Sequence, residues 1–271
     1  MQNPIQEINA RASMDLEQKR NWYSPVADIY YNARPNYSKE LIDQSVILTQ
    51  LSSDASILEV GCGPGNVTVP FAQFGFSMTC LEPNSDFCHL AQRNCTPYPN
   101  VIVQNFSFEE WELEVKQFNA VLYANAFHWI PSEIRYSKTA AALQDNGFLI
   151  LLWNLTPEPK YEVYKAIEEV YQAYAPSFVR YEGAEVQAEI LRGFEQEILD
   201  SSFFKELVVK QIACEVTYSI DDYLKLLRTL RRLEPQVQEL LFAGLREKLK
   251  QIGDSVKLSF LSAVHIARKD S

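Results

Sequence analysis

The segment Glu59-Val60-Gly61-Cys62-Gly63-Pro64-Gly65-Asn66 leaves an apolar run, Ser56–Cys62, and enters a helix-like one, Asn66–Phe74. An apolar run bounded by glycine reads as a buried parallel strand. Glycines between such a strand and a helix let the backbone turn sharply and approach a ligand with no Cβ in the way. The helix that follows offers unpaired N–H groups to an electronegative ligand. Glu82 stands at the end of the next apolar run, Ser77–Leu81. A carboxylate there accepts hydrogen bonds from both hydroxyls of a ribose. Strand, loop, helix, strand and acid in this register favour a nucleoside site over a plain tight turn beside a capping acid. The dinucleotide fingerprint wants glycine where Asn66 stands, which disfavours an NAD(P)-dependent oxidoreductase.

The alternation continues. Asn84–Asn94 reads as a helix with Asn84 as N-cap. Val101–Asn105, Phe118–Tyr123 and Phe148–Trp153 read as further strands. A helix over Ser132–Gln144 is expected to close on Asn146-Gly147 as a C-cap. Strands separated by helices predict a doubly wound α/β core. After Trp153 the rhythm changes: Thr156–Asp200 carries two helical patterns and no strand, with Tyr161, Tyr164, Tyr171 and Tyr174 read as core packing. Leu207–Cys214 is a strand, Ser219 and Asp222 a capping box, and a helix follows Pro235 before a last strand, Val256–Ala267. The expected organisation is an N-terminal helical cap segment (1–50), a cofactor-binding α/β core (51–155), a helical cap insertion (156–200) and C-terminal elements completing the core (201–271).

Composition narrows the function classes. The 271 residues hold 25 Lys and Arg against 35 Asp and Glu, a net charge of −10. Such a surface repels phosphate backbones and anionic membranes, so neither nucleic acid nor membrane is expected as a partner. Arg228, Arg231 and Arg232 read as a solvated helix face. Met1–Trp22 holds no apolar run of signal-peptide type. Cys62, Cys80, Cys88, Cys95 and Cys214 form no C-x-x-C pair, and His89, His128 and His265 suggest no metal cluster. A soluble cytoplasmic protein is the expectation, with oligomeric state open.

Ile57–Gly65 (ILEVGCGPG) with Glu82 resembles the first motif of class I S-adenosylmethionine-dependent methyltransferases. Tyr31–Tyr37 (YNARPNY), Phe106–Trp111 (FSFEEW) and Asn125–Trp129 (NAFHW) extend the likeness. Together they are similar to the small-molecule branch that includes trans-aconitate methyltransferase-like proteins. The resemblance implies a Rossmann-like seven-stranded sheet whose last strand is antiparallel, with S-adenosyl-L-methionine as cofactor. It places Gly61, Cys62, Gly63, Pro64 and Gly65 along the methionine part, with Glu59 steering its amino group through loop contacts or water. Glu82 would hold the ribose and Pro83 lie beside the adenine. Asn105, Phe106, Ser107 and Phe108 would close on the adenine ring, and Asn125 joins this set. Asn105 and Ser107 stand where many members carry an acid for the adenine amino group.

His128 falls just past strand four, at the carboxyl edge where such sheets bind ligands. It is read either as a general base toward an acceptor hydroxyl or as a wall that orients the acceptor. The second is preferred, because a carboxylate acceptor is already a nucleophile at neutral pH. Tyr30, Tyr31 and Arg34 are expected to fold over the cofactor, with Trp129 beside the acceptor. Aromatic faces attract a sulfonium, and arginine meets a carboxylate. The expected activity is methyl transfer to a small-molecule acceptor at oxygen, carboxylate or hydroxyl. The rival readings are a non-catalytic cofactor binder and the oxidoreductase disfavoured above.

Overall fold

The computed structural model describes residues 11–230 and 232–270. The first ten residues of the N-terminal cap segment, Arg231 and Ser271 lie outside them. Three short helices, α1 (Leu16–Asn21), α2 (Ala27–Ala33) and α3 (Lys39–Thr49), precede the core. The core then runs β1 (Ser56–Val60), α4 (Thr68–Ala72), β2 (Ser77–Leu81), α5 (Ser85–Asn94), β3 (Val101–Gln104), β4 (Phe118–Ala124), α6 (Ser132–Ala142) and β5 (Leu143–Asn154). Beyond it come β6 (Glu158–Pro159), α7 (Tyr161–Tyr174), α8 (Ala184–Asp200), β7 (Phe204–Ser219), α9 (Ile220–Leu230), α10 (Pro235–Ile252) and β8 (Ser255–Lys269).

The sheet is Rossmann-like, in the order β3-β2-β1-β4-β5-β8, with β6 and β7 both paired to β8. Strands β1 to β5 are parallel, and the last strand, β8, is antiparallel to β5, β6 and β7. Eight strands replace the expected seven because β6, two residues of the supposedly strand-free cap, pairs with Leu258 and Ser259. Central strands are apolar on both faces, as a sheet covered on both sides requires. Leu58, Val60, Val121, Tyr123, Leu149 and Leu151 enter one core layer; Ile57, Ala120, Leu122, Ile150 and Leu152 enter the other. That two-residue alternation is the strand period.

Two local expectations fail for identifiable reasons. Helix α6 ends at Ala142, with Leu143 already extended, so Asn146-Gly147 is not its C-cap. Those residues sit instead at the irregular start of β5, opposite the register shift between Phe118 and Ala120. A Cβ on Gly147 would stand 3.0 Å from the Gln144 carbonyl oxygen, which explains glycine there. Helix α4 starts at Thr68 rather than Asn66, with Pro70 inside its first turn.

Segment 156–200 divides in its packing. Helix α8 lays Ile190, Leu191, Phe194 and Ile198 onto the same sheet face as Trp153. Helix α7 instead joins α9 and α10 in a separate cluster around Ile167, Leu224 and Leu245. Tyr164 and Tyr171 point into this cap and are buried, whereas Tyr161 and Tyr174 are 53% and 42% exposed. Only half of the tyrosine stripe is core. No helix among the described residues is long and apolar enough to cross a membrane.

Candidate active site

The amides of Gly61 and Cys62 both donate to the Leu81 carbonyl, at 2.8 and 3.1 Å, and tie the glycine loop to the end of β2. Gly61 has φ +67°, and a Cβ on it would lie 2.8 Å from the Ala126 Cβ. The loop is therefore pressed against the segment after β4, and only glycine permits it. Gly63, at φ +57°, would project a Cβ into open space. That bare backbone borders the cleft, and its amide donates to Glu82 Oε2 at 2.8 Å. Gly65 faces away from the cleft, toward Ala91 and Cys95 on and just after α5.

Glu82 Oε1 accepts from the Asn84 amide at 2.8 Å, so both carboxylate oxygens are oriented by backbone N–H groups. Asn84 in turn caps α5, its side-chain oxygen accepting from the Phe87 amide at 2.9 Å. Burial pushes the Glu82 carboxyl up to about 7, against the pull of its two backbone hydrogen bonds. Each oxygen keeps lone-pair capacity for a further donor.

An open cleft runs from this loop across the carboxyl edge of the sheet. It is lined by Tyr30, Arg34, Gly61, Cys62, Gly63, Pro64, Glu82, Pro83, Ser107, Phe108, Asn125 and Trp129 among the residues expected from sequence. Others lie elsewhere. Glu59 is fully buried within the sheet; its Oε1 has no partner, and burial raises its carboxyl to about 8. Asn105 donates to the carbonyls of Glu82 and Pro83 at 2.8 and 3.2 Å, bracing the loop from behind. Phe106 is 49% exposed and outside the cleft. Tyr31 reaches the site only through its carbonyl, which accepts from Asn66 Nδ2 at 3.5 Å.

A second cavity adjoins the cleft and shares Tyr23, Tyr30, Arg34, Asn125, Asn154 and Leu155 with it. His128, Trp153, Ile190, Phe194 and Arg11 line it further in. His128 is buried, with its ring 5.9 Å from that of Trp153 in a stacked arrangement. Arg34 donates through Nε to Thr229 Oγ1 at 2.9 Å and through Nη2 to the Thr229 carbonyl at 2.8 Å, and its guanidinium lies over the Tyr30 ring. Arg180 pairs with Glu182. Arg11 and Arg34 both line this cavity, and neither has an acid at ion-pair distance among the described residues. Asn125, at φ +49°, donates through Nδ2 to the Asn154 carbonyl at 2.7 Å and accepts from the Asn154 amide at 2.9 Å. That exchange locks the ends of β4 and β5 where the two cavities meet.

The N-terminal helices close the mouth. Tyr23 stacks on Phe87, ring centroids 5.5 Å apart, and Tyr30 lies 4.8 Å from the same ring. Lys19 pairs with Glu109 at 2.9 Å, and Asn84 donates to Ser24 at 2.9 Å. Sequence reasoning missed Arg11, Tyr23, Phe87 and Asn154. Phe87 carried a usable signal, lying three residues after the N-cap on the face turned to the loop; Arg11 carried none.

Residues 57–147 match the methyltransferase domain family. An uncharacterized methyltransferase of Mycobacterium tuberculosis is 26% identical over 129 residues, 48% of this chain and 50% of that protein. The chain thus matches about half the length of such relatives. An uncharacterized methyltransferase of Schizosaccharomyces pombe is 24% identical over 259 residues, 92% of this chain and 97% of its own. Among solved structures, a Haemonchus contortus phosphoethanolamine N-methyltransferase, in complex with phosphomonomethylethanolamine and S-adenosylhomocysteine, shares the fold. Its TM-score is 0.55 at 14% identity, over 95% of this chain and 60% of that one. A parallel core of the sheet, a glycine loop tied to β2, an acid held by the loop's own amide and the match of residues 57–147 to the methyltransferase domain family all make this stretch similar to a methyltransferase domain.

Proposed function

We propose that this chain transfers the methyl group of S-adenosylmethionine to a carboxylate oxygen of a small organic acid. The observation that carries the proposal is the junction of the two cavities at Tyr30, Arg34, Asn125 and Asn154. A donor in the first and an acceptor in the second meet there.

The residues of the cleft fit the cofactor. Gly63 presents backbone with no side chain, Glu82 offers oriented acceptors to a ribose, and Pro83, Ser107 and Phe108 flank the place of a base. When bound, the cofactor supplies an electrophilic methyl on a sulfonium. The chain's own residues do the rest. Tyr30 offers an aromatic face to the cation, and Arg34 binds and aligns the acceptor carboxylate. Asn125 and Asn154 hold the strand ends rigid. The helices before β1 exclude water that would compete as nucleophile. Alignment and desolvation suffice for an acceptor that arrives ionised.

Two arginines that line the cavity with no acid at ion-pair distance among the described residues favour an anionic acceptor over a neutral phenol or a cationic amine. The chain's net charge of −10 supports a protein without a nucleic-acid partner. The test is label transfer from methyl-labelled cofactor to carboxylic acids, phenols and amines. Methyl esters release labelled methanol in alkali. A base-stable labelled product would reject the carboxylate.

A further inference from the structure

Arg34 follows the last residue of α2, and the chain around it is held from three sides. Its amide donates to the Tyr30 carbonyl at 3.2 Å. The hydroxyl of Tyr218, near the end of β7, donates to the Ala33 carbonyl at 2.9 Å. Asn154 Nδ2 donates to the carbonyls of Pro35 and Asn36 at 3.2 and 3.3 Å. The backbone carrying Arg34 is thus anchored by bonds that do not involve its side chain.

The side chain is fixed separately, by Thr229. An arginine free to rotate loses rotamer entropy when it grips a ligand, and one already held does not. Thr229 is buried in the last turn of α9. Its hydroxyl donates to the Leu226 carbonyl at 2.7 Å, so what Oγ1 has left for Arg34 Nε is a lone pair. Its carbonyl is among the last four of the helix, which lack intrahelical partners, and it accepts from Nη2. A cation there also meets the negative end of the helix dipole. Nε and Nη2 together form one edge of the planar guanidinium. With that edge spent on Thr229, two N–H groups on Nη1 and one on Nη2 remain, and they form the edge that takes a carboxylate through two parallel bonds. The Tyr30 ring, its centroid 4.8 Å from the guanidinium carbon, restrains the group from one face. Arg34 lines both cavities, whereas Thr229 lines neither.

We propose that Thr229 is a positioning residue for the acceptor: it occupies one edge of the Arg34 guanidinium so that the other edge is presented to a carboxylate where the two cavities meet. This rests on the carboxylate reading of the same site and adds that helix α9, through a single residue, sets the aim of that arginine. Thr229 contributes to acceptor binding without touching the acceptor.

The test uses the full chain and a panel of acids: the straight-chain acids from acetate to octanoate, benzoate and phenylacetate. Three quantities are read: the Kd of each acid for the protein loaded with S-adenosylhomocysteine, the KM for label transfer, and the Kd of S-adenosylhomocysteine itself. Thr229→Val removes the hydroxyl and keeps the side-chain volume and the carbonyl. It should raise the Kd and KM of the acids about tenfold, the scale of one hydrogen bond to a charged group, and leave the Kd of S-adenosylhomocysteine unchanged. Thr229→Ala removes the same oxygen without adding bulk beside Arg34 and should repeat the effect. Thr229→Ser keeps Oγ1 and should restore the wild-type values. A merely structural role would neither separate acids from cofactor nor depend on Arg34. In the Arg34→Gln background Thr229→Val should therefore add nothing to the loss. Full affinity for the acids in both variants that lack the oxygen, the same factor added in the Arg34→Gln background, or a loss borne by S-adenosylhomocysteine instead of the acids would overturn the positioning role while leaving the carboxylate reading standing. Failure of every acid to bind or take label in the wild type, with phenols or amines labelled instead, would overturn the carboxylate reading and the positioning role with it.

Discussion

Arg11 Nη1 stands 3.3 Å from His128 Nε2. A guanidinium only donates, so Nε2 accepts and the imidazole proton resides on Nδ1. Nδ1 is itself buried and has no partner. Burial, then the charges of Arg11 and Arg135, hold the ring well below its ordinary range. A general base at this position would have to gain a proton on the nitrogen that faces Arg11. His128 is thus built as a neutral wall with one donor to spare.

Turnover should therefore survive His128→Asn. That substitution keeps a donor and approximate volume but removes the imidazole base. The expected loss in kcat is less than about tenfold, against the 10²–10⁴ that removal of a general base costs. His128→Ala should lose more, through the gap left against Trp153. The wild-type kcat should show no ionisation of His128 between about pH 5 and 8, because a ring whose proton affinity is lowered stays neutral across that window. A drop of a thousandfold in the asparagine variant, with transfer rate-limiting, would return His128 to the role of base.

Glu82 predicts the pH dependence of cofactor binding. Its carboxyl is raised to about 7 by burial, and hydroxyl donors from a ribose favour the ionised form. Affinity for S-adenosylhomocysteine should be full above neutrality and weaken as pH falls through about 7. Glu82→Gln removes the titration and places an amide N–H₂ against the amide of Gly63 or of Asn84. It should bind about ten- to a hundredfold more weakly, one charge-assisted hydrogen bond at 1.5–3 kcal/mol. Calorimetry at pH 6 and pH 8 on both proteins checks this; an identical pH slope in the variant would place the ionisation elsewhere.

What was legible in the sequence was local. The glycine loop, the Glu82 position and the Asn84 cap depend on neighbours within a few residues, and the structure places them accordingly. Asn146-Gly147 misled because the same dipeptide serves a helix end or an irregular strand start, and the choice is made by Phe118 and Asn119 across the sheet. Helix α8 has an apolar stripe like that of α7, and nothing in the stripe says whether the sheet or the cap will cover it. Arg11 joins His128 across more than a hundred residues of chain, a pairing that no spacing encodes.

The helices before β1 should behave as a lid coupled to the cofactor. Tyr23 and Tyr30 pack on Phe87, and Lys19 and Ser24 bond to Glu109 and Asn84, all from the cleft's own rim. Few of these contacts are core contacts, so local opening is expected to be cheap. Hydrogen exchange should show amides over 16–37 protected on adding S-adenosylhomocysteine, with β1 and β4 unchanged. Phe87→Ala should abolish much of that protection. Equal exchange with and without ligand would make the segment ordinary packing.

Glu59 predicts a stability effect of opposite sign to that of a paired acid. Its carboxyl is raised to about 8 by burial, only partly offset by the Thr68 hydroxyl and Cys80 thiol beside it. In the unfolded chain it titrates near 4.5. Below that value it is protonated in both states and contributes no pH dependence. Between about 4.5 and 8 unfolding releases its proton, so its contribution to stability declines as pH rises, and the decline is complete above the folded value. Glu59→Gln removes this dependence. The variant should gain on the wild type as pH rises, by an amount on the order of a few kcal/mol between pH 5 and pH 8.5. Urea midpoints of both proteins at the two values measure it, other groups cancelling in the difference. A gap that does not change with pH would mean that the carboxyl is ionised in the folded chain. Affinity for S-adenosylhomocysteine in the same samples then reads whether this buried carboxyl acts on the amino end of the cofactor: a selective loss in the variant says that it does, and equal affinity confines it to the sheet.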